Sequence, residues 1–532
     1  MGFWSSVIAT ILLCVSASAK AAADKSASGP GKPNVLFIAI DDLRPEMGCY
    51  GNAEVKTPNL DRLASTGLRL DRAYCQYAIC GPSRASLLTG LRPDTLKIEE
   101  IDTFFRNTVP DVVTLPQHFK ANGYESLYVG KVFHPGQTDD DISWSRPVRQ
   151  PPRGSEYQLP ESLEVMKKRR QEAEAKYGKE AQLQGMSAGP AWESAEAPDS
   201  AYPDCKTADA AIATLREVKD KPFFLGVGFI KPHLPFVAPK KYFDLYDPAT
   251  LTLTDTPNPP KDGPAIARHS SFELRTRTRV PTAGPIDEPT SRELLRAYYA
   301  CASFVDAQIG RVLAELDSLG LRENTIIVVW GDHGWHLGEY GIWGKATNYE
   351  VATRVPLIVS APEMKAAGRG SKALVEFVDV YPTLCELAGL QKPAHLQGKS
   401  FAPLLTDPEQ KWKDAAFSQF PSPALREWAA RPLSDAMRGS YFSPVIKDVE
   451  AQLAKEHGDR YDAQLFNNDL MGYSIRTDRY RYTAWVDRRS PTGTPFAEEL
   501  YDHESDSHET VNVAAERPAI CSKLRQQLFD HP

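Results

Sequence analysis

Asn34–Ile40 reads NVLFIAI, and the run ends on the acidic pair Asp41-Asp42. A half-exposed strand would alternate apolar and polar residues. A continuous apolar run of this length suits a strand covered on both faces, as in a parallel sheet. Similar runs return at 126–129, 223–229, 325–330 and 356–359, and helix-patterned stretches fall between them at 59–67, 114–122, 208–218, 292–319 and 380–388. Strands alternating with helices predict an α/β fold with a large, mostly parallel sheet flanked by helices.

Working outward from that core, the chain of 532 residues is long enough for more than one folding unit. Residues 7–15 form an apolar run too short to span a bilayer, and Ala17-Ser18-Ala19 suits a small-residue cleavage site. We therefore expect a signal peptide at 1–19, a flexible leader at 20–32, a catalytic α/β domain at 33–395 and a smaller C-terminal subdomain at 396–532. Residues 147–200 are rich in Pro, Glu, Lys and Arg and predict a surface insertion with one charged helix. Residues 251–290, rich in Pro and Thr, predict a long loop. In the C-terminal part, 474–486 alternates like a half-exposed strand, 499–501 adds another, and 519–529 predicts a closing helix, which together suggest an antiparallel sheet.

The net charge of −7 leaves no basic footprint for nucleic acid, though a local basic pocket could still take a sulfated polyanion. No later segment is apolar enough for membrane insertion. The cysteines show no CxxC spacing, and Cys301 and Cys385 fall in helix-like apolar patterns that predict buried thiols. No Asn-x-Ser/Thr sequon occurs, which leans towards a bacterial exported protein of the periplasm or extracellular space.

Ligands of open α/β sheets bind beyond the carboxyl ends of the strands. The expected strand ends carry Asp41-Asp42, Lys131 with His134, Lys231 with His233, and Asp332-His333. A single such acid is usually a turn residue, and a single histidine is usually structural. Their convergence on one rim points to a site. Asp41, Asp42 and Asp332 gathered together would repel one another, and a divalent cation resolves that conflict. Hard oxygen ligands favour calcium, or magnesium, with His333 the softer partner.

Cys80-Gly81-Pro82-Ser83-Arg84, followed by Leu88-Thr89-Gly90, resembles the modification motif of the formylglycine-dependent sulfatases, members of the alkaline-phosphatase-like superfamily. Gly130–Gly136 (GKVFHPG), 231–236 (KPHLPF), 331–339 (GDHGWHLGE) and 472–483 (GYSIRTDRYRYT) resemble the iduronate-2-sulfatase subgroup. The resemblance implies that a formylglycine-generating, or sulfatase-maturing, enzyme oxidises Cys80 to an aldehyde whose hydrate attacks sulfur and later expels sulfate. It implies a metal site of Asp41, Asp42, Cys80, Asp332 and His333. Arg84 would hold the nucleophile, Lys131 and Lys345 the sulfate, His134 would take the proton that drives elimination, and His233 would protonate the leaving oxygen. Lys231 would either stand behind the reacting groups or contact a substrate carboxylate, and Arg476 could bind that carboxylate. The implied substrate is the 2-O-sulfate of a terminal hexuronate in a glycosaminoglycan. A sulfatase for another sulfated polysaccharide, such as an algal glycan, is the alternative. A phosphate ester hydrolase of the same superfamily is a further one, although its nucleophile is usually Ser or Thr.

Overall fold

The computed structural model describes residues 31–148, 150–151, 154–177, 188–427 and 429–530. The expected signal peptide, and the leader up to residue 30, lie outside them.

The central sheet contains β1 (Asn34–Ile40), β2 (Leu68–Tyr74), β3 (Glu125–Gly130), β4 (Phe223–Phe229), β5 (Thr325–Gly331), β6 (Arg354–Val355), β7 (Leu357–Ser360) and β8 (Arg369–Glu376). Their order is β6-β2-β7-β5-β1-β4-β3, and β8 pairs with β2. β1 lies parallel between β4 and β5, and β3 is parallel to β4. The expected run at 356–359 becomes β7, which is antiparallel to both β5 and β2 and makes the sheet mixed.

β1 explains its own composition. Leu36, Ile38 and Ile40 enter one hydrophobic cluster, while Val35, Phe37 and Ala39 enter the cluster on the other face. Helices α2 (Pro203–Val218) and α3 (Glu288–Ser318) contribute to the first cluster. Helix α1 (Cys80–Thr89) and the helices Leu115–Ala121 and Val380–Leu387 contribute to the second. Phe37 is fully buried, with the rings of Phe224 and Trp330 centred 5.7 and 5.4 Å away. Truncating such a residue to alanine typically costs about 3–5 kcal/mol.

A second, antiparallel sheet has the order β9 (Ala415–Pro421), β10 (Leu470–Thr477), β11 (Tyr480–Asp487) and β12 (Ala497–Asp502). Helix α4 (Pro518–Phe529) closes it, with Cys521, Leu524 and Leu528 in its core. The stretch 474–486, expected as one strand, is a hairpin. It reverses at Asp478-Arg479, where the Thr477 hydroxyl donates to the Tyr480 carbonyl (3.1 Å) and accepts from its N–H (3.0 Å). Two-residue alternation persists through the turn and hides it. The insertion carries its charged helix at Pro160–Tyr177, and Cys301 and Cys385 are fully buried. Among the described residues no helix is long and apolar enough to cross a membrane.

Candidate active site

The carboxyl ends of β1, β3, β4 and β5 deliver Asp41-Asp42, Lys131, Lys231 with His233, and Asp332-His333 to one rim. The glycines around Asp332 are steric necessities. A Cβ on Gly331 would lie 2.2 Å from the Leu43 carbonyl oxygen, and one on Gly334 would lie 1.9 Å from that of Val351. Asp42 adopts φ 59°, a left-handed conformation that Asp tolerates better than most residues. Its N–H donates to Asp332 Oδ1 at 2.9 Å and so links the two strand ends.

Helix α1 starts at Cys80, and its four-residue spacing places Cys80 and Arg84 on one face. Pro82 falls in the first turn, where a backbone N–H would find no helical partner. The Ser83 hydroxyl donates to the Asp332 carbonyl. Arg84 is fully buried. Its Nε donates to Asp332 Oδ2 and its Nη2 to Asp41 Oδ1, both at 2.9 Å. Cys80 Sγ thereby comes to 3.3 Å from His333 Nε2, 3.5 Å from Lys345 Nζ and 3.9 Å from Asp42 Oδ1.

Lys345 donates to both Asp42 oxygens, at 2.8 and 3.1 Å, and lies 3.4 Å from Glu273 Oε2. Lys131 pairs with Asp41. His233 directs Nε2 towards Glu273 (3.4 Å) and Asp42 (4.0 Å), while its Nδ1 donates to the Leu234 carbonyl. Among the described residues His134 Nδ1 is buried without a hydrogen-bond partner.

These contacts set the protonation states. Burial pushes the Asp41 carboxyl up, but Lys131 and Arg84 outweigh it and hold the group well below its usual range. Burial raises Asp42 well above its usual value, Lys345 offsets this only in part, and Asp41, Glu273 and Asp332 add to it. Burial also drives the Cys80 thiol well up, so an unmodified cysteine is a protonated, weak nucleophile here. Burial lowers His134 to about 3 and His333 to about 4, which leaves both imidazoles neutral at pH 7.

Ligand atoms of Asp42, Cys80, Asp332 and His333 lie within 4.8 Å of one another, as do those of Asp41, Asp42, Cys80 and His233. Crowded carboxylates, one of them unable to ionise comfortably, together with a neutral imidazole, fit a divalent cation.

Two expected residues stand apart. Lys231 is buried and donates to Pro235 O (2.6 Å), Glu156 Oε2 (2.9 Å) and His233 O (3.0 Å), so it braces the His233 loop. Arg476 gives its guanidinium to Glu350 and the Thr477 carbonyl within a separate buried ion cluster. All three N–H donors of Lys231 are spent inside the protein, and Arg476 gives its Nε and Nη1 to acceptors of the protein itself. Glu273, conversely, was not anticipated. It comes from the irregular 251–290 segment, on the short helix Phe272–Arg275, and no sequence signal distinguishes it from its neighbours.

A sulfatase family model matches residues 33–390. Human iduronate 2-sulfatase is 36% identical over 510 residues, covering 85% of each chain. A sulfatase of Formosa agariphila is 34% identical and covers 91% of this chain and 83% of its own. Among solved structures, the phosphonate monoester hydrolase of Silicibacter pomeroyi superposes with a TM-score of 0.67 at 24% identity, covering 94% of this chain and 95% of that one; it shares the fold. The chain belongs to the sulfatase family, on the alkaline-phosphatase-like fold, and is a sulfuric ester hydrolase.

Proposed function

We propose that the protein removes the 2-O-sulfate from a terminal hexuronate, using formylglycine formed from Cys80 by a maturing enzyme, and that it acts after export. What carries the proposal is the position of Cys80 Sγ, 3.3 Å from His333 Nε2 and 3.5 Å from Lys345 Nζ, beside the carboxylates of Asp42 and Asp332. The identity with human iduronate 2-sulfatase supports the choice of sugar.

Asp41, Asp42, Asp332 and His333 would hold the cation, calcium or else magnesium. A bound cation supplies Lewis acidity, which lowers the proton affinity of the hydrated aldehyde and polarises a sulfate oxygen. Hydrated formylglycine supplies the hydroxyl nucleophile that a buried thiol cannot.

The chain's own groups do the rest. Arg84 bridges Asp41 and Asp332 and fixes the carboxylates in place. Lys131 and Lys345 set two ammonium groups against the oxygens where negative charge gathers. His134, neutral and with Nδ1 unpartnered, accepts a proton there. His233 donates Nδ1–H to Leu234 O, so only its imidazolium carries a proton on Nε2 to give to the leaving oxygen. Burial and Lys345 hold that imidazolium well below the usual histidine range in the free protein. A bound sulfate monoanion, together with Glu273, favours it. General acid–base help of this kind contributes roughly 10²–10⁴-fold in rate.

The test is a desulfation screen of defined 2-O-sulfated uronides, other sulfated glycans including algal ones, and matched phosphate esters, with Cys80→Ala as the control. The 2-O-sulfated uronide should be turned over fastest, and Cys80→Ala should lose roughly 10⁴-fold or more. Preference for another glycan sulfate, or Cys80→Ala retaining a few per cent of activity, would defeat the proposal.

A further inference from the structure

His233 stands on a segment that has left the sheet. β4 ends at Phe229, and residues 230–235 belong to no strand or helix. The His233 N–H closes a turn there by donating to the Ile230 carbonyl at 2.9 Å.

The segment is held from two sides. Asp204, on the first turn of α2, is 1% exposed, and its Oδ1 and Oδ2 accept the N–H groups of Ile230 and Lys231, each at 2.8 Å. An acid in a first helical turn ordinarily lies near the surface and serves the free N–H groups of its own helix. This one is buried and turns both oxygens to the neighbouring loop. Burial lifts its carboxyl to about 6, against the pull of those two N–H groups and of Lys231. A buried carboxylate is costly to keep, and what it holds here is the entry to the His233 loop.

From the other side the Lys231 ammonium gathers the carbonyls of His233 and Pro235 and is countered by Glu156. The two holds meet in one residue: Asp204 fixes the Lys231 main chain, and the Lys231 side chain fixes the main chain at His233. With Nδ1 tied to the Leu234 carbonyl at 2.6 Å, the imidazole then directs Nε2 at Asp42 and Glu273.

Resting on the reading of His233 as proton donor to the leaving oxygen, we infer that Asp204 is a positioning residue of this reaction, acting through the Lys231 main chain and the His233 loop. Misplacing a reacting group by about 1 Å can cost roughly 10²-fold in rate, even when the change lies far from the chemistry.

The test is a double-mutant cycle in the full chain carrying formylglycine, on the best substrate of the desulfation screen. Asp204→Asn keeps the shape and turns one acceptor into a donor. It should lower kcat by about 10–100-fold and change KM by less than about threefold. In a His233→Ala background the same change should cost less than about threefold, because the residue through which Asp204 acts is gone. Lys231→Met releases the loop from the other side. It should behave alike, and it carries the test should Asp204→Asn not fold. The Nδ1–H proton of His233, recognised by its absence from the spectrum of His233→Ala, adds a signature independent of turnover, and Asp204→Asn should shift or broaden it. Equal losses with and without His233, a KM effect in place of a kcat effect, or an unmoved Nδ1–H resonance would overturn the inference. Failure of the proton-donor reading is separable. His233→Ala would then keep its kcat, while the resonance would still report whether Asp204 holds the imidazole.

Discussion

Among the described residues two clusters of acids and histidines stand out, one buried and one mostly buried, and each includes a group spaced to hold a metal. One is the rim cluster of Asp41, Asp42, Asp332 and His333. The other is Glu350, His503 and Glu509, where the second sheet packs on the first. Geometry alone does not separate them, but compensation does. In the second cluster, Arg481 pairs with Glu350 and Glu509, and Arg476 pairs with Glu350. Burial alone would raise both acids, yet the arginines hold Glu350 and Glu509 below their usual range. In the rim cluster Arg84 and Lys131 balance Asp41, but Asp42 is left raised against its neighbours. The first cluster has a carboxylate in want of positive charge. The second is already neutralised and serves as an ionic rivet.

Exchanging one acid in each cluster tests that contrast most sharply. Asp42→Asn should strip the bound cation and lower kcat/KM by at least ~100-fold, since even partners one shell outside a metal typically cost 10–100-fold when lost. Metal analysis of the purified protein checks it. Glu509→Gln should keep its full metal content. If Asp42→Asn retained stoichiometric metal, or Glu509→Gln lost it, the two clusters would have been assigned the wrong way round.

Stability should invert the ranking. Glu350→Gln leaves Arg476 and Arg481 short of a carboxylate, and breaking a buried pair from one side costs about 3–5 kcal/mol. The lower figure is expected because the Glu350 side chain keeps 14% of its surface exposed. Urea unfolding measures it. Asp42→Asn, measured without metal, should be neutral or stabilising, because it relieves repulsion among Asp41, Glu273 and Asp332. A destabilisation as large as that of Glu350→Gln would mean that the rim acids are held as firmly as the rivet.

The two clusters also differ in how far the sequence revealed them. β1 was legible because both of its faces are buried, so its composition could not be mistaken for a half-exposed strand. The rim acids and histidines were legible because they follow such strands directly. The rivet was not. Arg476 and Glu350 lie 126 positions apart, and nothing local to Arg476 reveals that a carboxylate is paired with it. Glu273 failed for the same reason, since its meaning comes only from His233 and Lys345 across the site. β2 (LRLDRAY) mixes charges with apolar residues because several of its side chains are only partly covered, so no apolar run marked it.

The smallest effect expected is in pH dependence, and its sign differs between the clusters. Glu350 and Glu509 have folded values below the unfolded one of about 4.3, so their stabilisation is complete above that pH and is lost as pH falls towards the folded values. Each proton of difference contributes a slope of about 1.4 kcal/mol per pH unit, and Glu350→Gln should flatten the fall in stability measured by urea titration between about pH 5 and 3. Asp42 runs the other way. Its folded value lies above the unfolded one of about 3.9, so without metal it penalises folding as pH rises through the window between the two. A cation that ligates Asp42 must displace that proton, so calcium affinity should weaken on acidification at a pH where ordinary carboxylates are still ionised. Calorimetric titration in buffers of different ionisation enthalpy reads the released proton directly. No proton release at pH 5–6 would mean that Lys345 alone suffices to keep Asp42 ionised, and the rim cluster would then be as self-sufficient as the rivet.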